Sequence, residues 1–199
     1  MLNSFFSQFG HPRGFLGEVA GWIMSRTNRE RIAWAVSLLD VRPTDHILDI
    51  GFGPGNAIHA MAARAPQGFI AGVDISDVML RQASRRNAEA IRTGRVDLRQ
   101  ASVESLPFPA SSFDKAFSSN TFHFWPDQAA NLQEVRRVLK PDGTLALVLQ
   151  PRWVKTDDEV RTVARQTADQ LTAAGFRQVR VEYKPMKPMM AFCILADKP

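Results

Sequence analysis

A doubly wound α/β domain is the fold class this sequence predicts: a mostly parallel sheet covered by helices on both faces. Three observations carry that expectation. From residue 46 onward, short apolar runs of strand type alternate with helical stretches. The chain then closes on two β-rich runs separated by too few residues to hold a crossover helix, so they must pair antiparallel. Ahead of all this, the first 45 residues show helical spacing only, as in Phe15, Val19, Trp22 and Ile23, and again in Ile32, Val36 and Leu39.

Taken in order, residues 1–45 read as an N-terminal helical cap and 46–199 as the core of a single domain spanning 1–199. Strands are expected over 46–52, 69–74, 96–102, 113–120 and 144–150. Helices are expected over 55–64, 77–91 and 127–139. Ser76 is a natural N-cap for the second of these, and Gly94 lies just past its end. "KPDG" at 140–143 reads as a tight turn feeding the fifth strand. A helix over 156–174 stops at Gly175, and the runs 178–185 and 189–198 form the terminal hairpin.

The bulk composition bounds the function class. With 199 residues, 45% hydrophobic and 23% charged, the chain can bury a core without staples. The single cysteine, Cys193, excludes an intramolecular disulfide and any cysteine-rich metal site, which favours a cytoplasmic setting. No run is long enough to span a bilayer, and the N-terminus has no secretory pattern. No histidine or carboxylate cluster has metal-ligand spacing, so no metal is expected. The net charge of +5 is a mild basic bias. Arginines at 81, 85, 86, 92, 95 and 99 read as a solvated helix face, with phosphate attraction as the alternative.

The most informative stretch is "HILDIGFGPGNA", residues 46–57. Its apolar run breaks into glycine at alternate positions, where backbone is needed more than side chains. The dinucleotide fingerprint G-x-G-x-x-G fails here, because its third position falls on Asn56 or Ile58, and no phosphate-loop Gly-Lys-Ser/Thr comes after it. What stands is D-x-G-x-G-x-G, opened by Asp49.

Four blocks in order resemble the class I S-adenosylmethionine-dependent methyltransferases, in their small-molecule type 11 branch: "ILDIGFGPGNA", "VDISDVMLRQA" (73–83), "ASVESLPFPASSFDKAFSSNTFHF" (101–124) and "EVRRVLKPDGTLAL" (134–147). The likeness covers roughly residues 40 to 150. It implies a Rossmann-like, seven-stranded, mostly parallel sheet with the last strand reversed, S-adenosyl-L-methionine as cofactor and S-adenosyl-L-homocysteine as product. Gly51, Gly53 and Gly55 would let the chain pass beneath the cofactor's amino-acid end, and Asp49 would receive its ammonium. Asp74, closing the second strand, would accept from the ribose hydroxyls, the alternative being a cap on the helix after Ser76. Ile75 and Met79 would wall the adenine, although Met79 also suits plain core. The family commonly carries an acidic residue where this chain has Ser102; the Ser102 hydroxyl or the Val103 backbone would take over, with Glu104 as a further candidate.

Substrate sites in such sheets lie beyond the carboxyl ends of the strands, which directs attention to "SSNTFHFWPD" (118–127). Ser119 and Asn120 should face the cofactor. His123 is a candidate general base, its alternative being a locally bonded pocket residue. Phe122, Phe124 and Trp125 are candidates for an acceptor pocket, with core packing as the alternative. "NTFH" differs from the Asn-Pro-Pro-Tyr type used on DNA bases and protein amides, which argues against nucleic acid. His11 and Arg13, in the "GHPRG" loop, could meet an anionic group.

The expected activity is methyl transfer to an oxygen, nitrogen or carbon of a small molecule. Alternatives are a phospholipid or other membrane substrate, which the aromatic arm (Phe5, Phe6, Phe9) would meet as a peripheral contact, an RNA substrate met by the arginines, and a non-catalytic cofactor-binding sensor or partner subunit. The same aromatic arm is compatible with a homodimer.

Overall fold

A computed structural model describes residues 28–199. His11, Arg13, the aromatic arm and most of the expected cap lie outside these described residues. The part of the cap that is described is one helix, α1 (Arg29–Leu38), whose Ile32, Ala35 and Val36 are buried against the core.

Seven strands come next: β1 (His46–Ile50), β2 (Phe69–Asp74), β3 (Val96–Gln100), β4 (Phe113–Ser119), β5 (Leu139–Leu149), β6 (Arg177–Lys184) and β7 (Ala191–Asp197). They form one sheet in the order β3-β2-β1-β4-β5-β7-β6. β1 to β5 pair in parallel, and β7 runs antiparallel to both neighbours. The expected class holds, but the terminal runs are more than a hairpin, because β7 inserts between β5 and β6. The reason is hydrophobic: β7 is buried on both faces from Ala191 to Ala196, whereas β6 alternates and suits an edge.

The helices are α2 (Asn56–Arg64), α3 (Asp77–Arg86), α4 (Ala88–Arg92), α5 (Gln128–Val138) and α6 (Asp157–Ala173). Successive central-strand residues feed opposite cores. Leu145, Leu147 and Leu149 of β5 face the core that holds Leu132 and Val135 of α5 and Val160 of α6. Ala146 and Val148 face the core of α1 and α2, with Val36, Ile58 and Met61. Each fully buried aliphatic side chain contributes roughly 1.5–3 kcal/mol. α6 begins with a capping box in which Thr156 and Glu159 satisfy each other's backbone N–H groups.

Local differences from the sequence expectation have physical causes. The helix expected over 77–91 breaks at Asn87, whose buried amide donates to the carbonyl oxygens of Ala83 (2.9 Å) and Gly55 (3.2 Å), tying the break to the glycine loop. β1 ends at Ile50 rather than 52, since Gly51 takes a φ of 75° and the chain turns there. The third strand stops at Gln100 and the fourth at Ser119. The turn expected at 140–143 lies inside the β4–β5 ladder as a bulge, with Asp142 at φ 59°, and Leu139 already pairs with Phe113. Among the described residues no helix is long and apolar enough to cross a membrane.

Candidate active site

The carboxyl ends of β1, β2, β4 and β5 open into a cavity of about 610 Å³. Its floor is the loop from β1 to α2, where Gly51, Gly53 and Gly55 all take positive φ. They do different things. A Cβ on Gly53 would meet nothing within 4 Å, so this glycine presents bare backbone to the cavity. A Cβ on Gly55 would lie 2.8 Å from the Ala83 Cβ and the Asn87 Nδ2. Gly55 serves the seam between α2 and α3, where its lack of a side chain lets Ala83 and Asn87 approach. Gly51 packs under the Thr121 side chain, whose hydroxyl donates to Ile50 O (3.1 Å) and also bonds the Ser118 hydroxyl.

Two carboxylates dominate this end. Asp49, on β1, is 2% exposed, and its Oδ2 has no hydrogen-bond partner among the described residues. Burial, then the neighbouring Asp74 charge, raises its pKa well above the carboxylate range. A buried carboxyl oxygen left without a partner is uncommon in folded proteins. Asp74 accepts the N–H groups of Gly53 through Oδ2 and Ser76 through Oδ1, each at 2.9 Å. It therefore pins the glycine loop to the start of α3 and still lines the cavity, so the capping role and a ligand-facing position coexist in one side chain. Ile75 (45% exposed) and Met79 (1% exposed) both reach the wall.

Ser102, Val103 and Glu104 form the next section of wall. The Ser102 hydroxyl accepts the Glu104 N–H (3.2 Å) and donates to the Glu104 carboxylate (2.9 Å). The segment after it is clamped from α5. Glu134 accepts the Leu106 N–H at 2.8 Å, and Arg137 donates to Leu106 O (3.1 Å) and Phe108 O (2.8 Å) while paired at two points with Glu134. The "EVRRVLKPDG" block thus contributes to the site through a brace on the 102–108 wall.

The opposite side is built by β4, β5 and the loops leaving their carboxyl ends. Ser119 and Asn120 line the cavity, and the buried Ser119 hydroxyl has no partner among the described residues. The Asn120 side-chain oxygen accepts the Gln150 N–H at 2.8 Å. His123 lines the cavity between Phe124 and Trp153, with ring centroids 3.9 Å and 4.7 Å away. Burial lowers its pKa to about 4, which leaves the imidazole neutral at neutral pH. Phe124 and Trp125 reach the wall. Phe122 is 3% exposed and packs edge-to-face on Trp125 within the core, the packing alternative expected for it.

Sequence reasoning missed Asn28, Ile32, Thr121, Gln150, Arg152 and Trp153 on the wall. One signal for Gln150 existed: a polar residue at the carboxyl end of an apolar strand, where open α/β sheets place ligands. Its side chain accepts from Arg31 at 3.0 Å and donates to Lys187 O and Met189 O at 3.1 and 2.8 Å, joining α1 to the β6–β7 loop. Arg31 is fully buried, and its pKa is lowered to about 10 by burial and then by Arg152.

Comparison with known proteins agrees with this architecture. A family model described as a methyltransferase domain matches residues 48–147. An uncharacterised methyltransferase, YdaC of Bacillus subtilis, is 35% identical over 91% of this chain and 98% of its own length. The 27-O-demethylrifamycin SV methyltransferase of Amycolatopsis mediterranei is 34% identical over 64% of this chain, which spans 49% of that longer protein. Among solved structures, a SAM-dependent methyltransferase from Aquifex aeolicus superposes with a TM-score of 0.70 at 20% identity, covering 86% of this chain and 90% of that one. By its match to the domain model and to a relative that it covers almost end to end, the chain belongs to the methyltransferase family.

Proposed function

We propose that the cavity holds S-adenosylmethionine over its β1–β2 side and a small-molecule methyl acceptor over its β4–β5 side. The observation that carries this reading is the buried, unpartnered Oδ2 of Asp49 beside the open backbone of Gly53. An acidic, water-poor end suits a ligand carrying an ammonium and a sulfonium, and Asp49 would take the ammonium. Asp74, on the cavity wall, would accept the ribose hydroxyls. Ile75, Met79 and Val103 would hold the adenine, with the Ser102–Glu104 turn at its edge and Ser119 and Asn120 at the reacting side. The cofactor, when bound, supplies a methyl group already activated on sulfur. The protein's task is then to position the acceptor and exclude water, worth roughly 7–11 kcal/mol where alignment is best. His123, held neutral, orients the acceptor from the wall.

Small-molecule relatives such as the rifamycin methyltransferase support an acceptor of this class. A cytoplasmic setting and a single domain over 1–199 belong to the same reading. The deciding experiment is calorimetric titration with S-adenosylhomocysteine, then incubation with methyl-labelled S-adenosylmethionine and a cell extract separated into lipid, macromolecular and small aqueous fractions. Tight binding with label in the small-molecule fraction is the expected result. Label in lipid would transfer the reading to a membrane substrate. Binding without any turnover would favour a sensor.

A further inference from the structure

The cavity is electrically lopsided. Asp49 and Asp74 make its β1–β2 end acidic, while the far end, beyond β5, is cationic. Arg152 lines that end, and the Arg31 guanidinium lies behind Gln150. Arg31 is 0% exposed, yet among the described residues it hydrogen-bonds to a neutral amide alone, and its Nε and Nη2 have no partner. Among the described residues no carboxylate pairs with Arg31 or with Arg152. A buried, half-satisfied guanidinium beside a second cation is costly to keep, and an anion nearby would relieve it.

The neighbouring groups fit that anion. The Asn120 carbonyl oxygen is occupied by the Gln150 N–H, so what Asn120 offers the cavity is its amino group, a donor. Gln150 is held at both ends of its amide and cannot turn away. Next to Arg152 stands a wall of rings: Trp153 (54% exposed), His123 and Phe124 (50% exposed). Large aromatic faces left open beside a cavity suit a flat apolar partner.

We propose that the methyl acceptor is an organic anion with a planar apolar body: the ring system lies on the Trp153–His123–Phe124 wall, and the anionic group is received by Arg152 and the Asn120 amino group, with the Arg31 charge behind. The assignment rests on the cofactor taking the acidic end. It selects acidic aromatic acceptors over neutral and cationic ones, and it makes Arg152 a specificity-determining residue.

The test uses 2-naphthoate and its neutral isostere 2-naphthamide, titrated calorimetrically into the full chain with and without S-adenosylhomocysteine. Naphthoate should bind about tenfold more tightly than the amide, as expected for a charge-assisted hydrogen bond in a partly dry site. Arg152→Gln should bring the two to near parity without weakening the amide. Trp153→Ala should weaken both alike, and Arg165→Gln, on the exposed side of α6, should change neither. Equal binding of the two probes, binding of neither, or a preference that survives Arg152→Gln would overturn the proposal. A defect in the cofactor reading would show separately, as an absent isotherm for S-adenosylhomocysteine alone.

Discussion

The two halves of the cavity are made differently. The β1–β2 half is assembled from residues close in sequence, mostly backbone and short side chains: Asp49, Gly53, Asp74 and Ser76 lie within one strand-loop-helix-strand unit, stitched by bonds of 2.9 Å. The β4–β5 half gathers Asn28, Asn120, His123, Gln150 and Trp153 from separate parts of the chain and relies on long side chains. The first half is accordingly a cradle fixed by its own backbone. The second can change ligand by changing side chains while leaving the backbone alone.

Either half can be perturbed on its own. The largest effect is expected at Asp74→Ala, which removes the two backbone bonds that pin the glycine loop as well as the proposed ribose acceptor. S-adenosylhomocysteine affinity should fall at least tenfold, each bond to charge being worth about 1.5–3 kcal/mol. Unchanged affinity in a folded variant would show the cradle is not held this way. Next is Gly55→Ala, which sets a Cβ against Ala83 and Asn87 at φ 79°. A loss of about 2 kcal/mol in denaturant unfolding is expected, with ligand contacts themselves untouched.

Asp49→Asn separates stability from binding. A carboxyl whose pKa is raised in the folded state weakens the fold as pH climbs from its ordinary value of 3.8 toward the raised one, and the penalty vanishes in acid, where both states are protonated. The amide should therefore raise the melting temperature of the ligand-free protein at neutral pH, have little effect in acid, and weaken S-adenosylhomocysteine binding. In the wild type, that affinity should rise with pH through the same window, because binding an ammonium favours the ionised carboxylate. A melting temperature that falls on substitution would contradict the buried, unpaired state of Asp49. The smallest effect belongs to His123→Phe: if the imidazole is a wall and not a proton acceptor, turnover should fall only a few-fold, against about 10²–10⁴ for loss of a working base.

The fold and the cradle are legible in the sequence where the physics is local. Alternating apolar runs forecast the strand count, and the D-x-G-x-G-x-G spacing with Asp74 forecasts the cradle, because each depends on neighbours along the chain. Gly55 must be glycine, as its place in the motif implies, but for a different neighbour, since Asn87 and Ala83 approach it from another helix. Arg31 and Arg152 are invisible in sequence for the same reason, and Gln150 shows only as a polar residue closing an apolar strand: their meaning is a meeting of α1, the end of β5 and the β6–β7 loop. Phe122 and Trp125 are aromatic residues three positions apart, and only packing shows that both are core while Trp125 alone also reaches the cavity wall.

The insertion of β7 between β5 and β6 bears on how the protein is made. During synthesis β6 emerges before the strand that joins it to the sheet, and the outer edge of β5 stays bare until residues 191–197 arrive. An unpaired, strongly apolar edge is an aggregation hazard in a nascent chain. Closing it requires pairing across large sequence separations, a slow step governed by topology. β7 thus acts as the keystone of the sheet, and β5, whose carboxyl end opens on the cavity, gains its second neighbour only when β7 is in place.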